Sequence, residues 1–107
     1  MAEPVNRQAA GPSMAELVRM REGILAVAAR HGASNVRVFG SVARGDADAA
    51  SDVDFLVDFE ASRSLVDVAG LILDLQEILG VPVDVIEAST LQPEDEHILI
   101  DMVALAA

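Results

Sequence analysis

The chain has 107 residues, a length typical of one domain, and 52% of them are hydrophobic, which is enough for a buried core. Seven Arg and no Lys stand against eighteen Asp and Glu, so the formal net charge is −11 at pH 7. A charge of this sign repels phosphate backbones and anionic membranes, and with the small size it argues against direct nucleic-acid binding and excludes a template-directed polymerase. Aromatic residues, at 3%, are too few for a base-stacking surface.

The sequence contains no Cys, which excludes disulfides and thiolate metal sites. Its N-terminal segment has no apolar run that could serve as a signal peptide, and no stretch of about 18 uncharged apolar residues could form a transmembrane helix, so we expect a cytoplasmic protein without membrane contact. Pro4 and the Gly11-Pro12 pair in a polar segment predict a flexible tail over 1–12, and a single domain is expected over 13–107.

Helix and strand signals alternate along the expected domain. Ser13 and Glu16 have the spacing of a capping box, and they begin a predicted helix over 14–31. Ser64 and Asp67 form a second such box. The other predicted elements are a strand ending at Phe39, a helical turn over 42–44, a strand over 52–59, a helix over 65–79, a strand over 83–87 and a helix over 94–105. The order α, β, turn, β, α, β, α indicates an α/β fold.

The predicted helix over 65–79 is apolar on more than one side. Its polar positions form one narrow stripe, which consists of Asp67, Gly70, Asp74 and Glu77. A helix with so wide an apolar surface is buried on several sides, and a three-stranded sheet covers only part of it. We therefore expect a partner helix against the remainder, from this chain or from another protein.

A Gly-Ser pair follows the first predicted strand and precedes the helical turn. Gly40 lets a ligand approach the backbone closely, and Ser41 adds a hydroxyl beside the free N–H groups of a helix start. This combination favours binding of a phosphate group. Arg44, one turn further on, is predicted to contribute a guanidinium to the same anion.

Three Asp residues complete the candidate site. Ten residues separate Ser41 from Asp52, and Asp54 lies two positions later on the same predicted strand, so both carboxylates point to one face. Asp84 interrupts an otherwise apolar strand and is expected beside them. Carboxylates that converge in this way bind Mg²⁺ together with substrate phosphates, and three of them can hold two ions for displacement at phosphorus.

The pattern predicts Mg²⁺-dependent transfer of a nucleotidyl group from a nucleoside triphosphate to a hydroxyl. Gly40, Ser41 and Arg44 are expected to hold the terminal phosphates, and Asp52 with Asp54 to hold the ion that bridges them. Asp84 is expected to help hold the ion that activates the acceptor hydroxyl, or to act as general base.

These segments resemble a known family. The runs FGSVARG, SDVDFLVDF and VDVI are similar to the minimal nucleotidyltransferases of the DNA polymerase β superfamily. The family motif G-S-x(10)-D-x-D is matched by Gly40, Ser41, Asp52 and Asp54, and Asp84 matches the third carboxylate. The resemblance implies a mixed sheet with flanking helices, Mg²⁺ as cofactor and ATP as substrate.

The resemblance also implies a partner. Stand-alone members of the family often act beside a helical HEPN-type toxin, as the antitoxin of a type VII-like toxin–antitoxin pair, and can transfer AMP to a toxin tyrosine. Such a partner would suit the apolar surface of helix 65–79, and the oligomeric state stays open. Relatives often carry basic residues in the last helix, whereas the last helix predicted here begins with Glu94-Asp95-Glu96, a difference that concerns partner contacts and acceptor specificity.

Two other functions remain open from the residues. One is a binding module that neutralises its partner by contact alone, although three converging carboxylates favour activity. The other is transfer to a small molecule, for which the chain is too short to include the helical domain that normally walls an acceptor pocket.

Overall fold

The computed structural model describes residues 12–48 and 50–105, so the tail predicted over 1–12 lies almost wholly outside the described residues. The helices are α1 (Met14–Arg19), α2 (Arg21–Arg30), α3 (Gly40–Arg44), α4 (Leu65–Leu79) and α5 (Glu96–Ile100), and the strands are β1 (Ala33–Phe39), β2 (Val53–Phe59), β3 (Val83–Glu87) and β4 (Val103–Ala104). Short 3₁₀ turns cover Ala88–Thr90 and Pro93–Asp95. The predicted α/β class is confirmed, and a single domain over 13–107 stays a prediction.

The four strands form one mixed sheet in the order β3-β2-β1-β4. β1 pairs antiparallel with β2 and with β4, while β2 and β3 run parallel. A parallel pair needs a crossover connection, and α4 is that crossover between β2 and β3. The carboxyl end of β1 and the amino ends of β2 and β3 therefore meet at one end of the sheet.

The main core lies between one face of the sheet and the helices. Val53, Phe55 and Val57 alternate along β2 and are at most 1% exposed. The helices contribute buried side chains at helical spacing, among them Ile24, Val27 and Ala28 of α2 and Leu71 and Leu75 of α4. Burial of these side chains stabilises the fold in proportion to the apolar area that is removed from water.

The opposite face of the sheet is also covered. Leu56 points away from its core-facing neighbours on β2, yet it is 0% exposed, and Ile98 of α5 is 7% exposed outside the main cluster. Since β3 and β4 are at opposite edges, the segment that joins them has to cross the sheet. The burial of Leu56 and Ile98 indicates that this segment crosses the second face.

Two predicted helices differ from the observed ones. The helix over 14–31 is divided at Met20, which has a ψ of 11° and donates its N–H to carbonyls of the preceding turn. The helix over 94–105 ends at Ile100, and β4 follows it because residues 103 and 104 pair with the open edge of β1. Both predictions of an uninterrupted helix are therefore wrong.

The polar stripe of α4 does not face solvent throughout. The His31 ring packs against Gly70, and His31 Nε2 lies 2.7 Å from Asp74 Oδ2, so part of the stripe contacts the end of α2. Part of the apolar surface of α4 is left uncovered: Leu71 and Leu75 are buried in the core, but Leu65, Val66 and Leu73 are 83%, 79% and 64% exposed. In the part of the chain that the structure describes, no helix is both long enough and apolar enough to cross a bilayer.

Candidate active site

Gly40 is the first residue of α3 and makes the tight turn by which the chain leaves β1. Its φ is 78°, a left-handed conformation that side-chain-bearing residues rarely adopt. A Cβ at this position would collide with Oδ2 of Asp54, so the backbone of Gly40 lies directly against that carboxylate. The conformation favours glycine, and any larger residue would displace the Asp54 carboxylate. The next residue, Ser41, lies in α3 and is partly exposed.

The loop between α3 and β2 is organised by its own hydrogen bonds. Asp48 Oδ1 accepts from the N–H of Ala50 at 2.9 Å, and the hydroxyl of Ser51 accepts from the N–H of Asp48 at 2.9 Å. These are the local bonds by which Asp and Ser stabilise turns. These bonds form a local turn at Asp48, Ala50 and Ser51, directly before Asp52.

Asp54 and Asp84 are direct neighbours on adjacent parallel strands. The register pairs Asp54 of β2 with Asp84 of β3, and Phe39 of β1 with Asp54. Paired residues on adjacent strands point to the same face, so Asp84 does not lie on the opposite side of the sheet. Asp54 is half-buried, Asp84 is exposed, and Asp52 is exposed one residue before β2 begins.

The electrostatics of Asp54 reflect this grouping. Burial raises the pKa of Asp54 above its ordinary value of 3.8, and the charges of Asp84 and Asp52 raise this pKa further. The positive charge of Arg44 acts in the opposite direction and lowers the pKa. Asp54 is therefore close enough to all three side chains to respond to their charges.

Arg44 forms two ion pairs. Its Nε lies 3.3 Å from Asp46 Oδ2, and its Nη1 lies 3.7 Å from Asp101 Oδ2. Asp46 comes from the loop after α3, whereas Asp101 ends α5 near the carboxyl end of the chain. The guanidinium is thus at the same end of the sheet as Asp54.

The chemistry of the acidic side chains suits a hard divalent cation. No three acidic or histidine side chains within residues 12–48 and 50–105 form a ready set of metal ligands. Across the same residues, the carboxylates of Asp52, Asp54 and Asp84 take part in no side-chain hydrogen bond or ion pair, while Asp54 is repelled by both of the others. Oxygen donors in this state fit Mg²⁺, which would remove the repulsion.

Sequence reasoning missed the contacts of Arg44. Neither partner was predicted, since Asp46 lies between the predicted helical turn over 42–44 and the predicted strand over 52–59, and Asp101 fell inside the predicted last helix. Asp46 had a weak signal, because a carboxylate two positions after an arginine is within reach of it. Asp101 had no local signal, since only the folding of β4 onto β1 brings it to α3.

Comparison with known proteins shows similar sequences. A family model described as a nucleotidyltransferase domain matches residues 20–104. A protein of Methanocaldococcus jannaschii, provisionally named a protein adenylyltransferase, is 35% identical over 74 residues, covering 69% of this chain and 80% of that protein. The protein adenylyltransferase MntA of Thermococcus cleftensis is 44% identical over 63 residues, covering 59% of this chain and 64% of that protein.

Solved structures share the fold. One that is provisionally described as a minimal nucleotidyltransferase has a TM-score of 0.75 and 46% identity, covering 86% of this chain and 95% of that chain. Two toxin–antitoxin structures, one with AMP-PNP and one of an MntA–HpeT mutant, each have a TM-score of 0.70 and cover 81% of this chain and 73% of theirs. At 17% and 14% identity these two show likeness of fold only. The span of the family model and the identity to the M. jannaschii protein show that this chain belongs to the nucleotidyltransferase domain family.

Proposed function

We propose that this chain uses Mg²⁺ to transfer AMP from ATP to a hydroxyl of a partner protein. The observation that carries the proposal is the strand register, which makes Asp54 and Asp84 neighbours at the sheet end where Gly40 packs against Asp54. Carboxylate oxygens thereby lie beside a backbone turn that a phosphate chain can approach closely. The names of the M. jannaschii and T. cleftensis relatives support adenylylation of a protein.

The side chains have separate roles in the proposed reaction. Gly40 and Ser41 hold the terminal phosphates of ATP, and the guanidinium of Arg44 supports them. Asp52, Asp54 and Asp84 would hold two Mg²⁺ ions, which neutralise phosphate charge and make the acceptor hydroxyl a better nucleophile.

The bond changes in the proposed transfer balance. The acceptor oxygen forms a bond to the α-phosphorus while the bond from that phosphorus to the oxygen bridging to the β-phosphate breaks. Pyrophosphate carries the electron pair away. Asp84 accepts the proton of the acceptor hydroxyl and passes it to water, because its side chain is exposed at the edge strand β3.

The proposed acceptor is a tyrosine of a helical HEPN-type toxin, for which this chain is the antitoxin. Support comes from the MntA relative and from the shared fold of the MntA–HpeT structure. The proposed contact surface is the apolar strip of α4, formed by Leu65, Val66 and Leu73, whose side chains are 64% or more exposed. A row of large apolar side chains in water is typical of an interaction site.

The reaction is tested with ATP that is radiolabelled on either the α- or the γ-phosphate, incubated with Mg²⁺ and the co-expressed toxin. We expect α-label on the toxin and no γ-label, because a nucleotidyl group and not a phosphoryl group moves. Asp52→Asn combined with Asp54→Asn should reduce transfer by about 100-fold or more, since metal ions contribute several kcal/mol to such reactions.

Asp58→Asn is the matched control for this experiment. Asp58 lies on the same strand and the same face as Asp54, but it pairs with Arg37 at 3.2 Å, so its loss leaves the proposed ligands intact. Melting curves verify that each variant is folded. Unchanged labelling by the double variant would remove Asp52 and Asp54 from the metal site.

The partner surface is tested separately from the chemistry. Val66→Asp with Leu73→Asp should abolish co-purification with the toxin and leave binding of Mg²⁺ and AMP-PNP unchanged. Val18→Asp, at a position 47% exposed on α1, introduces the same charge on another helix and should have neither effect. If toxin still co-purifies with the double variant, the apolar strip is not the contact surface.

Neutralisation by contact alone is the second candidate function. The exposure of the apolar strip favours it, because binding there needs no nucleotide. The double variant Asp52→Asn with Asp54→Asn distinguishes the two functions in cells. Full suppression of toxicity by that variant would favour the binding module, and loss of suppression with retained binding would favour the enzyme.

A further inference from the structure

Arg44 contacts two carboxylates that come from different parts of the chain. Nε of Arg44 lies 3.3 Å from Asp46 Oδ2, and Nη1 lies 3.7 Å from Asp101 Oδ2. Asp46 lies two residues after Arg44, in the loop that follows α3, but Asp101 lies between α5 and β4. Asp101 therefore connects the carboxyl-terminal segment to the end of α3.

The position of Asp101 is set by the strand that follows it. β4 pairs with Arg37 and Val38 of β1, the N–H of Leu105 donates to the carbonyl of Val36 at 2.9 Å, and Leu105 is 1% exposed. β1 is also the strand that leads into Gly40. Arg44 and Asp101 are thus both positioned by β1: Arg44 lies a few residues after the end of β1, and Asp101 lies just before β4, which pairs with β1.

The two ion pairs determine how the guanidinium is oriented. They involve Nε and Nη1 of Arg44, and Nη2 takes part in neither. The guanidinium is planar with its donors in a fixed arrangement, so holding two of its nitrogens fixes the direction of the third. The charge of Arg44 also reaches Asp54, which shows that the group is near the candidate site.

We infer that Asp101 is a positioning residue for Arg44, which holds the guanidinium so that Nη2 stays free for the phosphates of a bound nucleotide. This inference rests on the proposed function, because it requires a nucleotide beside Gly40 and Ser41. It also predicts the direction in which nucleotide affinity changes when Asp101 is replaced. Removing a negative charge near a triphosphate strengthens binding by simple electrostatics, whereas removing a positioning contact weakens binding.

Calorimetric titration with AMP-PNP in the presence of Mg²⁺ measures the effect on the dissociation constant. Asp101→Ala should raise Kd about two- to fivefold, the range of an exposed ion pair. In an Arg44→Ala background the same change should leave Kd unaffected, because Asp101 then has nothing to position. Asp101→Glu should recover part of the lost affinity.

Glu96→Gln is the matched control, since it removes one negative charge from the amino end of α5 and should leave Kd unchanged. Melting curves verify that all variants are folded. If Asp101→Ala leaves Kd unchanged or lowers it, or raises it equally in the Arg44→Ala background, Asp101 does not position Arg44, and the proposed function stands. If the wild-type chain does not bind AMP-PNP with Mg²⁺, the proposed function itself is wrong and this inference is wrong with it.

Discussion

Replacement of Gly40 by alanine adds a Cβ where the Asp54 carboxylate leaves no room. Gly40 has a φ of 78°, and an L-residue in that conformation costs about 1–2 kcal/mol. The new Cβ would also collide with Oδ2 of Asp54, so that carboxylate has to move from its position in the candidate site. Gly40→Ala should therefore lower both the stability of the fold and the affinity of the metal site.

Gly80→Ala separates these two effects. Gly80 ends α4 with a φ of 72°, and a Cβ there would have no atom within 4 Å. The backbone strain is the same as at Gly40, but no functional side chain is displaced. Gly80→Ala is thus a control for the stability loss alone.

Thermal melting and titration with AMP-PNP and Mg²⁺ measure the two effects. A cost of 1–2 kcal/mol should lower Tm by about 4–15 °C in both variants. Only Gly40→Ala should also weaken nucleotide binding, by about tenfold or more. Mutations that disturb the position of a metal ligand typically reduce affinity by this amount. Measurement well below each variant's Tm keeps unfolding out of the comparison.

Two results would refute this reasoning. Wild-type affinity in Gly40→Ala would mean that the position of the Asp54 carboxylate does not matter for the nucleotide. An equal loss of affinity in Gly80→Ala would mean that general destabilisation, and not contact with Asp54, accounts for the effect.

Three further predictions concern stability. Because the pKa of Asp54 is raised in the folded protein, the fold loses stability as pH rises from 3.8 through the raised value. Asp54→Asn should therefore have a higher Tm than wild type at neutral pH, and the difference should disappear below pH 3.8. A lower Tm of the variant at neutral pH would contradict this prediction. Leu71→Ala, at a fully buried position of α4, should lower the free energy of unfolding in urea by about 2–5 kcal/mol, and a loss under about 1 kcal/mol would be inconsistent with its burial. Ser64→Ala removes the side-chain cap of α4 and should cost about 0.5–2 kcal/mol in the same assay, while an unchanged midpoint would show that the cap is dispensable.

Elements with a local cause were predictable with their boundaries. Both capping boxes form as expected, Ser13 with Glu16 and Ser64 with Asp67, and α4 begins at Leu65 and ends at Leu79 as predicted. A cap is made by residues three positions apart, and Gly80 ends the helix through its own φ of 72°. Such signals require nothing from the rest of the chain.

Elements with a distant cause were not predictable. The apolar period continues through Leu17, Met20 and Ile24, so the division at Met20 leaves no mark on the pattern. Residues 101–105 read as the continuation of a helix, but they pair with β1 because that strand has an open edge. Pairing with an edge depends on the assembled sheet and not on the local sequence.

The candidate site divides in the same way. The candidate residues Gly40, Ser41, Asp52 and Asp54 could be selected from sequence alone, because a strand alternates its faces and a glycine turn has its own conformation. The sheet register decided which carboxylates become neighbours, because it pairs Asp54 with Asp84. The pairing of β4 with β1 likewise decided that Asp101 contacts Arg44. The amino-acid sequence thus determined the chemical groups and their local geometry. Tertiary structure decided their distances, since strand pairing joins residues that are far apart along the chain.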